Sequence, residues 1–194
     1  MQIGVKNCYH SASFKFTNNQ FSEFEAFSDN NNNMTSFDQK EFRKTLGTFA
    51  TGITVVTAMH EDSVPVGITV NSFTSVSLDP PLILWCLDNE AESYKVFANC
   101  KNFAIHILHQ EQEAISQTFA TKGSDKFSGL EWETGELGSP ILKDCASYFQ
   151  CETETSYEGG DHIILLGRVK AVQTNADKQP LIYHASNYHS LKAL

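Results

Sequence analysis

The sequence predicts a mainly β fold: an antiparallel barrel with short helices outside it. Two observations carry this. Six or more segments read as strands, against two or three short helical ones, and they do not alternate as β-α-β. A glycine pair, Gly159-Gly160, also joins two long strand-like runs in the manner of a hairpin.

The elements follow in chain order. Thr35 or Ser36 can cap a helix from Phe37 to about Phe49, with Phe42, Leu46 and Phe49 on one face. Gly52 to Ala58, GITVVTA, is rich in β-branched residues and reads as a strand. HEDSVP turns the chain, and Val66 to Phe73 return as a second strand. The chain breaks at Asp79-Pro80-Pro81 and resumes as an apolar strand from Leu82 to Leu87. Asn89 to Asn99 reads as a helix with Asn89 and Glu92 as a capping box. Phe103 to Leu108 is a strand and Gln110 to Phe119 a helix. Residues 121–140 read as a long glycine-bearing loop. Ser147 to Ser156 and Asp161 to Gln173 form the hairpin, and Leu181 to Leu191 are expected to close the sheet.

Residues 1–34 stand apart. They hold five closely spaced phenylalanines among Asn and Ser, with no sustained period. A disordered tail is expected there, ahead of one domain over residues 35–194. The rival reading is an arm that packs on a partner subunit.

Composition narrows the function. The chain has 194 residues, 41% of them hydrophobic, which suits one domain with a sizeable core. Its formal charge is −9 and its Lys and Arg are scattered, which argues against a nucleic-acid partner. No apolar run is long enough to span a membrane. The five cysteines are odd in number and include no C-x-x-C, so a reduced, cytoplasmic protein is expected. There is no G-x-G-x-x-G or Walker motif, no H-E-x-x-H and no G-x-S-x-G. His106 and His109, three apart in or beside a strand, point to opposite faces, so no metal site is expected.

Four stretches then occur in order: FRKTLGTFATGITVVTA (42–58), GITVNSFTSVSLDPPLILWCL (67–87), NEAESYKVFANCKNFAIHIL (89–108) and GDHIILLGRV (160–169). Together they resemble the flavin reductase family, whose fold is the FMN-binding split barrel, an antiparallel Greek-key barrel with peripheral helices. Its members include the reductase components of two-component flavin monooxygenases. The resemblance implies a homodimer with FMN or FAD in a groove near the subunit interface. It implies NADH or NADPH as hydride donor, stacked on the flavin, with no separate dinucleotide domain. It also implies a flavin-dependent oxygenase as a partner.

An isoalloxazine ring needs an apolar slot with a few polar groups along its edge. Thr69, Asn71, Ser72 and the adjoining Phe73 stand where such an edge is expected, and backbone groups of Trp85, Cys86 and Leu87 could reach the ring from the next strand. The resemblance makes Ser93, in the first turn of the 89–99 helix, a phosphate contact, where free amides favour an anion. Lys126, ahead of Lys122, would add the cation. His162 of GDH sits near the nicotinamide in the family and is expected to position it, since hydride transfer depends on distance and angle. Tyr188 matches a C-terminal pattern that often carries glycine nearby. Here Ser186 and Asn187 stand instead, so a ligand contact and a packing role stay equally open. A tightly FMN-bound electron-transfer protein and a non-enzymatic flavin-binding protein remain as alternatives to the reductase.

Overall fold

A computed structural model of the chain describes residues 36–123 and 125–192; the expected tail over residues 1–34 lies outside the described residues. The first helix, α1 (Gln39–Leu46), begins two residues later than expected. Its cap is Asp38, whose Oδ1 accepts from Glu41 N at 2.7 Å, not Thr35 or Ser36. It ends at Gly47 and buries none of its own residues.

Twelve strands follow, with two further helices among them. They are β1 (Thr51–Gly52), β2 (Thr54–Met59), β3 (Pro65–Val70), β4 (Thr74–Leu78) and β5 (Pro81–Asp88). Then come α2 (Tyr94–Asn99), β6 (Asn102–Ile107), α3 (Glu113–Ala120), β7 (Trp132–Thr134) and β8 (Pro140–Leu142). The chain closes with β9 (Ser147–Gly159), β10 (His162–Thr174), β11 (Ile182–His184) and β12 (Asn187–His189).

Seven strands form the main antiparallel sheet in the order β3-β2-β6-β9-β10-β5-β4. β3 and β4 are its two edges, yet only Asn71 to Phe73 connect them. Three residues reach about 13 Å at most, so the edges must lie close at that end. The sheet therefore curls into a barrel whose β3–β4 seam carries no strand pairing. Ser72 bridges part of the seam. Its Oγ accepts from Cys86 N at 2.9 Å and donates to Cys86 O at 3.1 Å, standing in for a strand neighbour of β5.

β2 is buried on both faces, which suits its β-branched, uncharged sequence TVVTAM; the hydroxyls of Thr54 and Thr57 are met by Val70 O and Pro140 O. Val56 and Ala58 point into the barrel with Trp85, Leu87, Phe97, Phe103, Ile105 and Leu165. Ile53 and Val55 point outward to a second core with Leu108, Phe119, Phe127, Leu142 and Leu181. Trp85 is the centre of the first, edge-on to Phe97 at 5.1 Å and to Phe103 at 5.9 Å. At Gly167, beside a bulge in the β9–β10 register, a Cβ would lie 2.4 Å from the Phe103 ring, so only glycine lets β10 pass that ring.

Several expectations are corrected. The second strand stops at Val70, and TSVSL is a separate edge strand, β4. Its burial is mostly exposed, so no apolar run announced it. Asn89 and Glu92 form no capping box. The Asn89 amide donates to Gly160 O, Glu92 accepts from Gly123 N, and the helix starts only at Tyr94. The 121–140 loop ends in a small ladder, β7 with β8. The β11–β12 hairpin pairs with β1 in a separate sheet and does not close the main one. Its turn, Ala185-Ser186, has φ of 48° and 64°, the left-handed pair of a two-residue hairpin made without glycine.

Candidate functional site

Two clefts flank β3. The first, about 630 Å³, lies between α1, the β3–β4 connection and the β11–β12 hairpin. Arg43, Leu46, Phe49, Asn71, Ser72 and Phe73 are on its wall. The second, about 390 Å³, is bounded by the start of β3, the residues before α2 and the 125–127 turn. Gly67, Glu92, Ser93, Asp125 and Lys126 line it. Gly67 and Asn71 are four residues apart on and just beyond one strand, roughly 13 Å by strand rise.

Three of the expected residues meet in the first cleft. Asn71 is exposed on the cleft wall, and its amide makes no side-chain hydrogen bond among the described residues. Phe73 supplies an apolar surface, backed by Phe149 at 5.6 Å. Ser72 is mostly occupied by Cys86, with one lone pair left.

Two more meet in the second cleft. Lys126 Nζ donates to Gly67 O at 3.2 Å and Phe119 O at 3.0 Å, which leaves its third N–H. Burial pulls its pKa down from the usual lysine value, and the Glu92 carboxylate opposes that pull. Ser93 stands at the N-cap of α2, not in its first turn, and its hydroxyl makes no capping bond. Against these groups stand Glu92 and Asp125. Each accepts a backbone N–H, from Gly123 and Phe127 respectively, so part of each charge is already met.

The remaining residues lie elsewhere. Trp85 and Leu87 are fully buried in the barrel core and pair with Leu165 and Ile163 of β10. Peptide groups alternate sides along a strand, so theirs face β10 while those of Cys86 face the seam. Those of Cys86 are engaged by Ser72, so backbone contacts from all three to a ring are not available in this arrangement. Burial raises the Cys86 thiol pKa, and the Ser72 hydrogen bond opposes this. Thr69 Oγ1 donates to Ser116 O at 2.7 Å, and Ser116 Oγ bonds the Tyr188 hydroxyl at 2.9 Å. Thr69 and Tyr188 thus fasten α3 to the sheet and the C-terminal hairpin, and neither borders either of the two clefts. Tyr188 also packs on Tyr183, edge-on at 5.5 Å.

His162 borders neither cleft. It opens β10, after a two-residue loop in which Gly160 has φ of 75°, as a tight hairpin requires. Its Nδ1 lies 2.7 Å from Asp161 Oδ1, and its side chain is 41% exposed. That hydrogen bond is the main cause of a lowered Asp161 pKa; the charge of Arg43 adds a small share.

Sequence reasoning missed Arg43, Glu92 as a charged wall of the second cleft, and Ser116. Only Arg43 left a usable sign: it shares a helix face with Leu46 and Gly47 at i, i+3 and i+4. The spacing of Glu92 matches a cap and hides its place on the cleft wall, and Ser116 meets Tyr188 across 72 residues. Among the described residues no cluster of His, Cys, Asp or Glu could hold a metal ion, and no helix is long and apolar enough to cross a membrane.

A profile of the flavin reductase like domain matches residues 46–192. A "probable flavin reductase" of Rhizobium meliloti (strain 1021) is 44% identical over 139 residues, 72% of this chain and 45% of that protein. The chain thus spans about half the length of that relative. The reductase subunit HsaB of a flavin-dependent monooxygenase from Mycobacterium tuberculosis (strain ATCC 25618 / H37Rv) is 37% identical over 157 residues, 80% of this chain and 83% of its own. Among solved structures, the NADH:FAD oxidoreductase SgcE6 of Streptomyces globisporus C-1027, in complex with NAD and FAD fragments, superposes with a TM-score of 0.76. It is 33% identical, over 80% of this chain and 93% of that one.

Proposed function

The chain belongs to the flavin reductase like domain family, and from that premise we propose that it is an NAD(P)H:flavin oxidoreductase. Its flavin is FMN, or FAD, whose adenylate can extend into solvent. The observation that carries the reading is the first cleft. Within the matched span, Asn71, Ser72 and Phe73 put a free amide, a bonded hydroxyl and an apolar ring on one wall of a cavity of ligand size.

The two bound groups would supply the redox chemistry between them, a hydride passing from nicotinamide to flavin. The chain supplies placement. Phe73, Leu46 and Phe49 give the ring an apolar bed and keep water from its face. Asn71 fixes the polar edge. About 13 Å along β3, the third N–H of Lys126 and the Ser93 hydroxyl suit the flavin phosphate. His162, held by Asp161 at the mouth of the β9–β10 hairpin, orients the nicotinamide and moves no proton in the transfer itself.

The homodimer reading rests on α1. The helix buries nothing of its own, while Phe42, Leu46 and Phe49 stand exposed, Phe49 by 77%. Such a patch marks an interface, and a second copy would cover it while walling the first cleft. A partner oxygenase is supported by relatives named as reductase subunits of flavin-dependent monooxygenases. Four unpaired cysteines among the described residues suit a reducing, cytoplasmic setting.

The test is steady-state loss of NADH and of NADPH, with and without FMN. Flavin-dependent oxidation of either is the expected result. Flavin binding with no oxidation of either would replace the reductase with a flavin-binding protein.

A further inference from the structure

The proposed flavin and dinucleotide are both anionic, and the chain carries a formal charge of −9. Each cleft has one cation on its wall: Lys126 in the second and Arg43 in the first. The two differ in what surrounds them. Lys126 spends two donors on carbonyls and faces Glu92 and Asp125. The first cleft has no Asp or Glu on its wall. Arg43 there makes no side-chain hydrogen bond and no ion pair among the described residues, so its five N–H donors are unspent. Its carbonyl, accepting from Gly47 N, holds the end of α1, and Leu46 and Gly47 lie on the same helix face toward the cleft. The guanidinium is near enough to the β9–β10 hairpin tip for Asp161 to feel its charge. Arg43 thus lines the first cleft and is within electrostatic reach of Asp161, the residue that holds the His162 ring, so a dinucleotide reaching from His162 to a ring at Asn71 to Phe73 would meet its charge.

We propose that Arg43 anchors a phosphate of the nicotinamide dinucleotide in the first cleft and so sets how well the enzyme takes that co-substrate. The anchor rests on the reductase reading. Its chemistry is a planar guanidinium fork on phosphate oxygens, a geometry lysine cannot copy. The phosphate is either the pyrophosphate, common to NADH and NADPH, or the 2′-phosphate of NADPH alone.

The test compares wild type, Arg43→Gln and Arg43→Lys in full-length protein. It measures KM and kcat for NADH and NADPH, and FMN affinity by fluorescence. Arg43→Gln should raise KM about tenfold, with kcat and FMN affinity within twofold of wild type, and Arg43→Lys should recover part of the loss. A rise for both dinucleotides identifies the pyrophosphate; a rise for NADPH alone identifies the 2′-phosphate. Unchanged KM for both, or weakened FMN binding in place of it, overturns the proposal and leaves the reductase reading standing. If wild type oxidises neither dinucleotide, that reading falls first. Equal binding of oxidised NAD and NADP to wild type and Arg43→Gln in calorimetry would then overturn the anchor as well.

Discussion

Ser72→Ala separates what Ser72 does for the barrel from what its neighbour does for a ligand. The hydroxyl makes two hydrogen bonds, at 2.9 Å from Cys86 N and 3.1 Å to Cys86 O, across a seam with no strand pairing. A neutral hydrogen bond contributes about 0.5–1.5 kcal/mol net, so the pair is worth roughly 1–3 kcal/mol. Cys86 is half-buried, and water can replace part of the loss, which puts the expected cost at about 2 kcal/mol. In a domain of this size that lowers Tm by about 4–8 °C. Urea unfolding measures it, with an unchanged m-value as the sign that both states keep their extent. Ser75→Ala, on exposed β4, is the control and should stay within about 0.5 kcal/mol. Asn71→Ala should show the reverse pattern: stability near wild type, because its amide has no internal partner, and flavin affinity weakened about tenfold. Ser72→Ala within 0.5 kcal/mol of wild type would refute the seam-bridging role.

Three further outcomes follow from the site and the core. His162→Ala should raise KM for NAD(P)H more than it weakens flavin binding; unchanged kinetics would leave the residue a turn element only. Glu92→Gln removes a carboxylate from the second cleft, so FMN should bind about three- to tenfold tighter by fluorescence titration, and weaker binding would place the phosphate elsewhere. His106 is fully buried, with Nδ1 on Val55 O and Nε2 accepting from Leu142 N, and burial pushes its pKa from 6.5 down to about 4. The unfolded chain then takes up a proton that the folded one refuses. Stability is full above pH 6.5 and falls as pH drops toward 4, by roughly 2.5 kcal/mol between pH 7 and 4.5. His106→Gln should flatten that window in urea titrations, and an unchanged loss would assign it to other groups.

The barrel was legible because its signals are local. GITVVTA is β-branched, PLILWCL is apolar throughout, and Gly160 permits the hairpin. What stayed hidden depends on partners far along the chain. TSVSL is polar and exposed, and becomes a strand only because β5 offers it an edge. The Asn89 and Glu92 side chains match a capping box, but Gly160 and Gly123 take them first. At the candidate site, Asn71, Ser72 and Phe73 line one cleft together, because three consecutive residues cannot part. Trp85 and Leu87 did not join them, because strand alternation sends their side chains to the core and their peptides to β10. Ser93 and Lys126 line one cleft, though the two carboxylates beside them gave no sign in the motif.

The central claim is that this barrel passes hydride from a nicotinamide to a flavin. An anaerobic stopped-flow mix of the protein with FMN and NADH or NADPH tests it most directly, read at the oxidised-flavin band near ~450 nm and followed by filtration. Rapid bleaching with the flavin in the filtrate is the predicted result. No bleaching with either nucleotide would contradict the claim.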